Sequence, residues 1–137
     1  MSPSIPIGNP PVTQAWLGIW YAPRADETDP ADLADARKGG WSAWRTVPPD
    51  PAADPFGCAA SILADAPSQA RVYLLVPGTR FDRFGTRRGR GGGWYDRFLS
   101  RLPRAWLRIG VATDGRLVDA PLLRQPWDEP MDWLVER

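Results

Sequence analysis

The stretch that most limits how this chain can fold is residues 72–99, VYLLVPGTRFDRFGTRRGRGGGWYDRFL. Val72 to Val76 is a short apolar, partly β-branched run closed by Pro77-Gly78, which is how a buried strand ending in a turn is written. An arginine-rich loop follows. Gly91-Gly92-Gly93 then leads into WYDRFLSRL, where Tyr95, Phe98, Leu99 and Leu102 recur at helical spacing and share one face. A glycine run entering a helix lets backbone N–H groups approach an anion closely, and the helix dipole adds positive potential at the same end. Arg87, Arg88 and Arg90 stand just before it, so a phosphate would meet backbone donors and guanidinium forks together. No Lys-Ser or Lys-Thr follows the glycines, and the spacing is not that of the dinucleotide fingerprint. From spacing alone two readings stay open: a phosphate cradle, or a flexible glycine loop whose arginines are simply solvated.

The rest of the chain supplies a sheet around this stretch. Residues 1–14 are Pro-rich and aperiodic and read as an extended or disordered lead-in to a single domain over 15–137. Ala15 to Tyr21 and Trp41 to Val47 read as strands, with a short polar helix between them that Asp29 caps, Pro30 starts and Gly39-Gly40 stops. Residues 48–57 read as a loop, and Ser61 to Ala64 as one helical turn. After Leu102-Pro103 breaks the signature helix, Ala105 to Val111 is a further strand. Asp114-Gly115 is a turn, Leu117 and Val118 continue the apolar pattern, and Asp132 to Val135 is a closing edge strand. Strands alternating with helices predict an α/β domain, a parallel or mixed sheet flanked by helices, with ligands beyond the carboxyl ends of the strands.

Charge and composition narrow the chemistry. Arg80 to Arg108 holds nine arginines against Asp82 and Asp96, whereas Ile109 to Arg137 holds three arginines against six acids, so a polyanionic partner for the loop is expected. The chain has no histidine and one cysteine, Cys58, which excludes an internal disulfide and the commonest general base. Any metal is then held by oxygen, as suits magnesium. Cys58 reads as a small buried apolar residue. No apolar run is long enough to span a membrane, and with no basic-then-apolar leader the expected address is the cytoplasm.

PGTRFDRFGTRRGRGGGWYDRFL resembles the nucleotide-binding signature of the 5-formyltetrahydrofolate cyclo-ligase (5,10-methenyltetrahydrofolate synthetase) family, PG-x-x-FD-x-x-G-x-RLG-x-GGGYYDR-[FY]-L. Pro77, Gly78, Phe81, Asp82, Gly85, Arg87, Gly89, Gly91 to Gly93, Tyr95, Asp96, Arg97 and Leu99 match. Arg88 replaces the usual Leu, and Trp94 replaces the first Tyr of the pair. IGVATDGRLVDAPL (109–122) and PWDEPMDWLVE (126–136) are similar to the family's IGLAF-x-x-QLVDELP and PHDVPMDAVVTE. The upstream IWYAPRADETDPADL is a fainter match, with Glu27-Thr28 at an acid-Thr position and Ala25 where an acid is usual. The family's opening helix with a K-x-x-x-R-like pair has no counterpart in residues 1–14, so the chain reads as a divergent, N-terminally shortened relative. Its Gly-x-x-Glu-Pro folate segment lacks a clear copy as well.

The resemblance implies a three-layer, cyclo-ligase-like fold and ATP- and magnesium-dependent conversion of 5-formyltetrahydrofolate to 5,10-methenyltetrahydrofolate through a phosphorylated formyl intermediate. Such chemistry needs positioning and charge neutralisation more than an acid or base. On this reading Gly89, Arg90, Gly91, Gly92, Gly93, Trp94, Tyr95 and Asp96 form the cofactor site. Arg87 and Arg90 neutralise the transferring group, and Arg88 stands in for the absent basic pair. Asp96 holds Mg2+, and Glu27 is a substrate-side carboxylate. Asp96 read as an ion-pair partner or helix N-terminal acid, and Trp94 and Tyr95 read as core, are the plain alternatives. Asp82 reads as a turn residue, and Trp127, Asp128 and Asp132 as closing the C-terminal edge. The partner is a small-molecule folate, with no nucleic acid and no membrane. Two other functions fit the residues: a silent relative that keeps the nucleotide or phosphate site without turnover, and an arginine/glycine RNA-binding loop.

Overall fold

The structure, a computed structural model, describes residues 3–8, 15–21, 41–47, 53–65, 72–89, 93–112 and 115–136. Five strands form one parallel sheet: β1 (Ala15–Tyr21), β2 (Trp41–Val47), β3 (Val72–Val76), β6 (Leu107–Ala112) and β8 (Trp133–Glu136), in the order β2-β1-β3-β6-β8. A second, three-stranded sheet is built from β4 (Arg80–Asp82), β5 (Arg87–Arg88) and β7 (Leu117–Val118), with β4 antiparallel to β5 and parallel to β7. The expected parallel sheet flanked by helices is what the chain forms, and β1 to β3 keep the expected bounds. The expected helix between Asp29 and Gly39 lies outside the described residues.

β3 is central, and all five of its residues are buried. Pleating sends Val72, Leu74 and Val76 to one face and Tyr73 and Leu75 to the other. On the first face they meet helix α1 (Pro55–Asp65) through Ala59 and Ile62, and helix α2 (Trp94–Leu99) through Trp94, Tyr95, Phe98 and Leu99. Leu102, expected on the same face as Tyr95, Phe98 and Leu99, is buried with them one turn beyond the helix end. On the second face Tyr73 and Leu75 cluster with Ile109, Val111 and Val135, so both faces of the sheet are buried, as a three-layer arrangement requires.

Helix α1 corrects the expectation of a loop over 48–57 and a single turn at Ser61 to Ala64. Its start follows the Asp-Pro rule: Asp54 Oδ1 accepts from the Phe56 N–H at 3.1 Å, its carbonyl accepts from the Cys58 N–H at 3.0 Å, and Pro55 opens the helix. Gly57 and the small residues Cys58, Ala59 and Ala60 mask this start in a propensity reading. Cys58 is partly buried against the core.

Residues 3–8, within the expected lead-in, are extended and hydrogen bonded. The Gly8 N–H donates to Leu134 O at 2.8 Å, the Leu134 N–H donates to Pro6 O at 3.0 Å, and Ile7 bridges Leu134 in parallel. They occupy the open edge of β8, which would otherwise present unpaired backbone groups. No helix among the described residues is long and apolar enough to cross a membrane.

Candidate functional site

The sheet order reverses between β1 and β3, and the carboxyl end of β3 runs into Pro77-Gly78 and the second sheet. The turn joining β4 to β5 is built on Asp82, whose side chain is 1% exposed. Its Oδ1 accepts from the Phe84 and Thr86 N–H groups at 2.9 and 3.0 Å, and its Oδ2 accepts from the Leu122 N–H at 2.8 Å. Asp82 is thus the turn residue expected, and more: it joins the turn to residue 122. Arg124 adds a second tie, donating from Nη2 to Phe84 O at 2.7 Å and from Nε to Thr86 Oγ1 at 3.1 Å.

This turn delivers Arg87. Its Nε donates to Pro77 O, and its guanidinium carbon sits 4.2 Å from the centroid of the Tyr95 ring on α2. Gly89 lies under the same group: a Cβ there would stand 2.7 Å from Nη1 and 2.8 Å from Nη2 of Arg87. The arginine is therefore held in place by the strand end, the glycine and the aromatic face. Arg88, beside it, is exposed and donates from Nη2 to Leu123 O at 3.4 Å.

Gly93 enters α2 with φ 70°, a left-handed conformation that glycine adopts without the strain a side chain would bring. Trp94 follows, 7% exposed. Its indole N–H donates to Ala53 O at 3.1 Å, and its ring stacks on Phe98 and meets Tyr95 edge-on. This side chain is committed to packing α2 on α1, so any share in cofactor binding falls to its main chain. Tyr95 is also buried, and its ring is the platform for Arg87. Arg90, Gly91 and Gly92, and Glu27 upstream, lie outside the described residues.

Asp96 is half-buried in the first turn of α2, and its Oδ1 accepts from the Glu129 N–H at 2.9 Å. Burial pushes its carboxyl above the usual range. The Glu129 N–H opposes that rise, the neighbouring Asp128 carboxyl adds to it by like charge and by a side-chain hydrogen bond, and Arg87 opposes it. Asp128, read from the sequence as closing the C-terminal edge, is also brought by the fold close to Asp96. Its carboxylate is braced by the Gln125 N–H at 2.8 Å and faces Asp96 from a loop far along the chain. The signal that could have found it is an acid within PWDEPMD, the last of the stretches with a family likeness. Asp132 does close the edge as expected, binding the Arg108 N–H at 2.9 Å and the Arg104 guanidinium at 2.9 and 3.3 Å.

Two facing carboxyls, one with raised proton affinity, next to a fixed guanidinium, fit a divalent cation carrying phosphate. The donors are all oxygen, and the cation would relieve the repulsion that raises Asp96. Among the described residues no group of three or more His, Cys, Asp or Glu gathers, here or elsewhere, so phosphate oxygens and water would have to complete the coordination of such a cation.

The 5-formyltetrahydrofolate cyclo-ligase family matches residues 60–136, more than half of the chain. A 5-formyltetrahydrofolate cyclo-ligase of Mycoplasma pneumoniae is 35% identical over 69 residues, 50% of this chain and 40% of that protein. The protein of the same name from Mycoplasma genitalium is 35% identical over 62 residues, 45% of this chain and 36% of that protein. The matched region thus spans well under half the length of these relatives. A solved 5,10-methenyltetrahydrofolate synthetase from Mycoplasma pneumoniae superposes with a TM-score of 0.57 at 24% identity, covering 88% of this chain and 72% of that one, and so shares the fold.

Proposed function

The chain belongs to the 5-formyltetrahydrofolate cyclo-ligase family, and on that premise we propose that it converts 5-formyltetrahydrofolate to 5,10-methenyltetrahydrofolate with ATP and Mg2+. The observation that carries the reading is the Glu129 N–H bond to Asp96, which brings the Asp128 loop against the first turn of α2, beside an Arg87 fixed at the carboxyl end of β3. When bound, MgATP would supply a phosphoryl group to the formyl oxygen with ADP leaving, so that N10 of the same substrate could displace phosphate, its proton passing to the departing phosphate or to water.

What the chain does is hold and neutralise. Asp96 and Asp128 bind the cation. Arg87, braced on Tyr95 and Gly89, presents a fixed positive charge to the phosphate and so needs little reorganisation as charge moves. Gly93, and with it Arg90, Gly91 and Gly92, bring main-chain donors to the phosphates. No group on the protein has to move a proton in this scheme, consistent with a chain without histidine.

The product absorbs in the near ultraviolet where the substrate does not, so the test is optical. An absorbance rise that needs protein, 5-formyltetrahydrofolate, ATP and Mg2+ together supports the reading. ATP binding by calorimetry with no absorbance change would make the chain a silent relative, and salt-sensitive RNA binding without ATP binding would make it neither.

The seat of Arg87 gives a sharper check. A methyl group in Gly89→Ala displaces the guanidinium from Tyr95, and a displacement of this kind should weaken ATP binding roughly 10-fold with the fold intact. Calorimetric titration reads this directly. ATP affinity equal to that of the unaltered chain would remove Arg87 from the phosphate site.

A further inference from the structure

We propose that Glu129 and Arg108 are positioning residues that set the separation of the Asp96 and Asp128 carboxyls for a divalent cation, an inference that rests on the cation reading above. Arg108 projects from β6 and is 1% exposed, and a guanidinium so buried has to be satisfied by fixed partners. Its Nη2 donates to Leu99 O, the last carbonyl of α2, at 2.9 Å and to Leu102 O, just beyond the helix, at 3.5 Å; Leu99 O also accepts from the Leu102 N–H at 3.1 Å. Its Nη1 faces Glu129 Oε2 at 3.5 Å.

Glu129 is therefore tied to the first turn of α2 directly and to its far end through Arg108. Its N–H meets Asp96 in the first turn, and its carboxylate meets the arginine that holds the last carbonyls. Asp128 is its chain neighbour, so the Asp128 carboxyl cannot slide relative to Asp96 without breaking one of these contacts. The far side of the loop is fixed to the same strand, because the Arg108 N–H donates to Asp132 Oδ2 and the Asp132 N–H donates to Arg108 O at 2.8 Å. The two acids are thus spaced by a bracket that touches neither the cation nor the substrate. Outer partners of this kind typically change metal affinity about 10- to 100-fold when removed.

The test is a Mn2+ titration of the full chain without nucleotide or folate, read by electron paramagnetic resonance, alongside thermal unfolding. Glu129→Ala is expected to weaken Mn2+ binding roughly 10-fold or more. Glu129→Gln is expected to fall between it and the unaltered chain, since the amide oxygen still accepts from Arg108 while the charge is gone. If Glu129→Ala fails to fold, the graded loss in Glu129→Gln carries the test. Ile62→Val, in the α1 core, provides a matched loss of thermal stability and should leave Mn2+ affinity unchanged. Equal weakening in Ile62→Val would reduce the bracket to general stability and overturn the inference. Normal Mn2+ binding in both Glu129 variants would overturn it while leaving the cation site standing. Failure of the unaltered chain to bind Mn2+ would remove the cation site and the bracket together.

Discussion

Asp96→Asn should lower Mg2+-dependent turnover on the order of 100-fold or more while leaving the fold intact. The amide has the shape of the carboxylate, and its oxygen can still accept from the Glu129 N–H, so the tie between α2 and the loop survives. What would go is one of the two negative charges proposed to hold the cation, and the charge count of the ligands is one of the terms that set affinity for a hard ion. A steady-state titration of Mg2+ at saturating ATP and folate measures it. Unchanged Mg2+ dependence would assign the cation elsewhere.

The same substitution separates the cost of ionised Asp96 from its use. Its carboxyl is raised above its ordinary value of 3.8 chiefly by burial, with Asp128 adding to the rise. The folded chain therefore keeps this proton to higher pH than the unfolded chain does. Between the ordinary and the raised value the native state binds more protons, so stability contributed here is lost as pH rises through that window. In chelator, the unaltered chain should lose stability across that rise and Asp96→Asn should lose less. Urea melts at a series of pH values give the comparison; identical pH slopes for the two proteins would contradict the assignment. Restoring Mg2+ at neutral pH should then stabilise the unaltered chain more than the variant.

Asp82→Ala should be the most damaging single change to stability, about 3 to 5 kcal/mol. Three N–H groups, of Phe84, Thr86 and Leu122, converge on this buried carboxylate. Hydrogen bonds to a charged group contribute roughly 1.5 to 3 kcal/mol each, and leaving buried donors without an acceptor adds a desolvation cost. For a domain of this size that is a fall in melting temperature of roughly 15 °C. Asp82→Asn should recover part of it, because one oxygen remains while the amide N–H2 opposes the other donors. The loss extends to the site, since the 82–86 turn carries Arg87, and Leu122 and Met131 on the 119–132 segment both bond to it. A melting temperature within a few degrees of the unaltered chain would mean that water replaces the carboxylate without cost.

The bounds of β1, β2 and β3, the end of β3 at Pro77-Gly78 and the buried face of Tyr95, Phe98, Leu99 and Leu102 were all legible from local pattern. Pleat, helical period and turn chemistry act over a few residues and leave their trace there. The long match from Pro77 to Leu99 pointed to the family for the same reason: it is one contiguous stretch. Helix α1 was written just as locally, in Asp54-Pro55, yet Gly57 and a run of small side chains diluted it below notice.

Other features have no local trace. Asp128 in PWDEPMD looks like any surface acid until β6 and β8 pair and carry the 119–132 segment across to α2. Arg108 looks like a solvated charge in a strand, and Glu129 like one in a loop, until both are brought against α2. Chain composition thus specified which groups could bind a phosphate and a hard cation. Strand order and helix packing determined which carboxyls meet, because the distance between side chains remote in sequence is set by the elements that hold them.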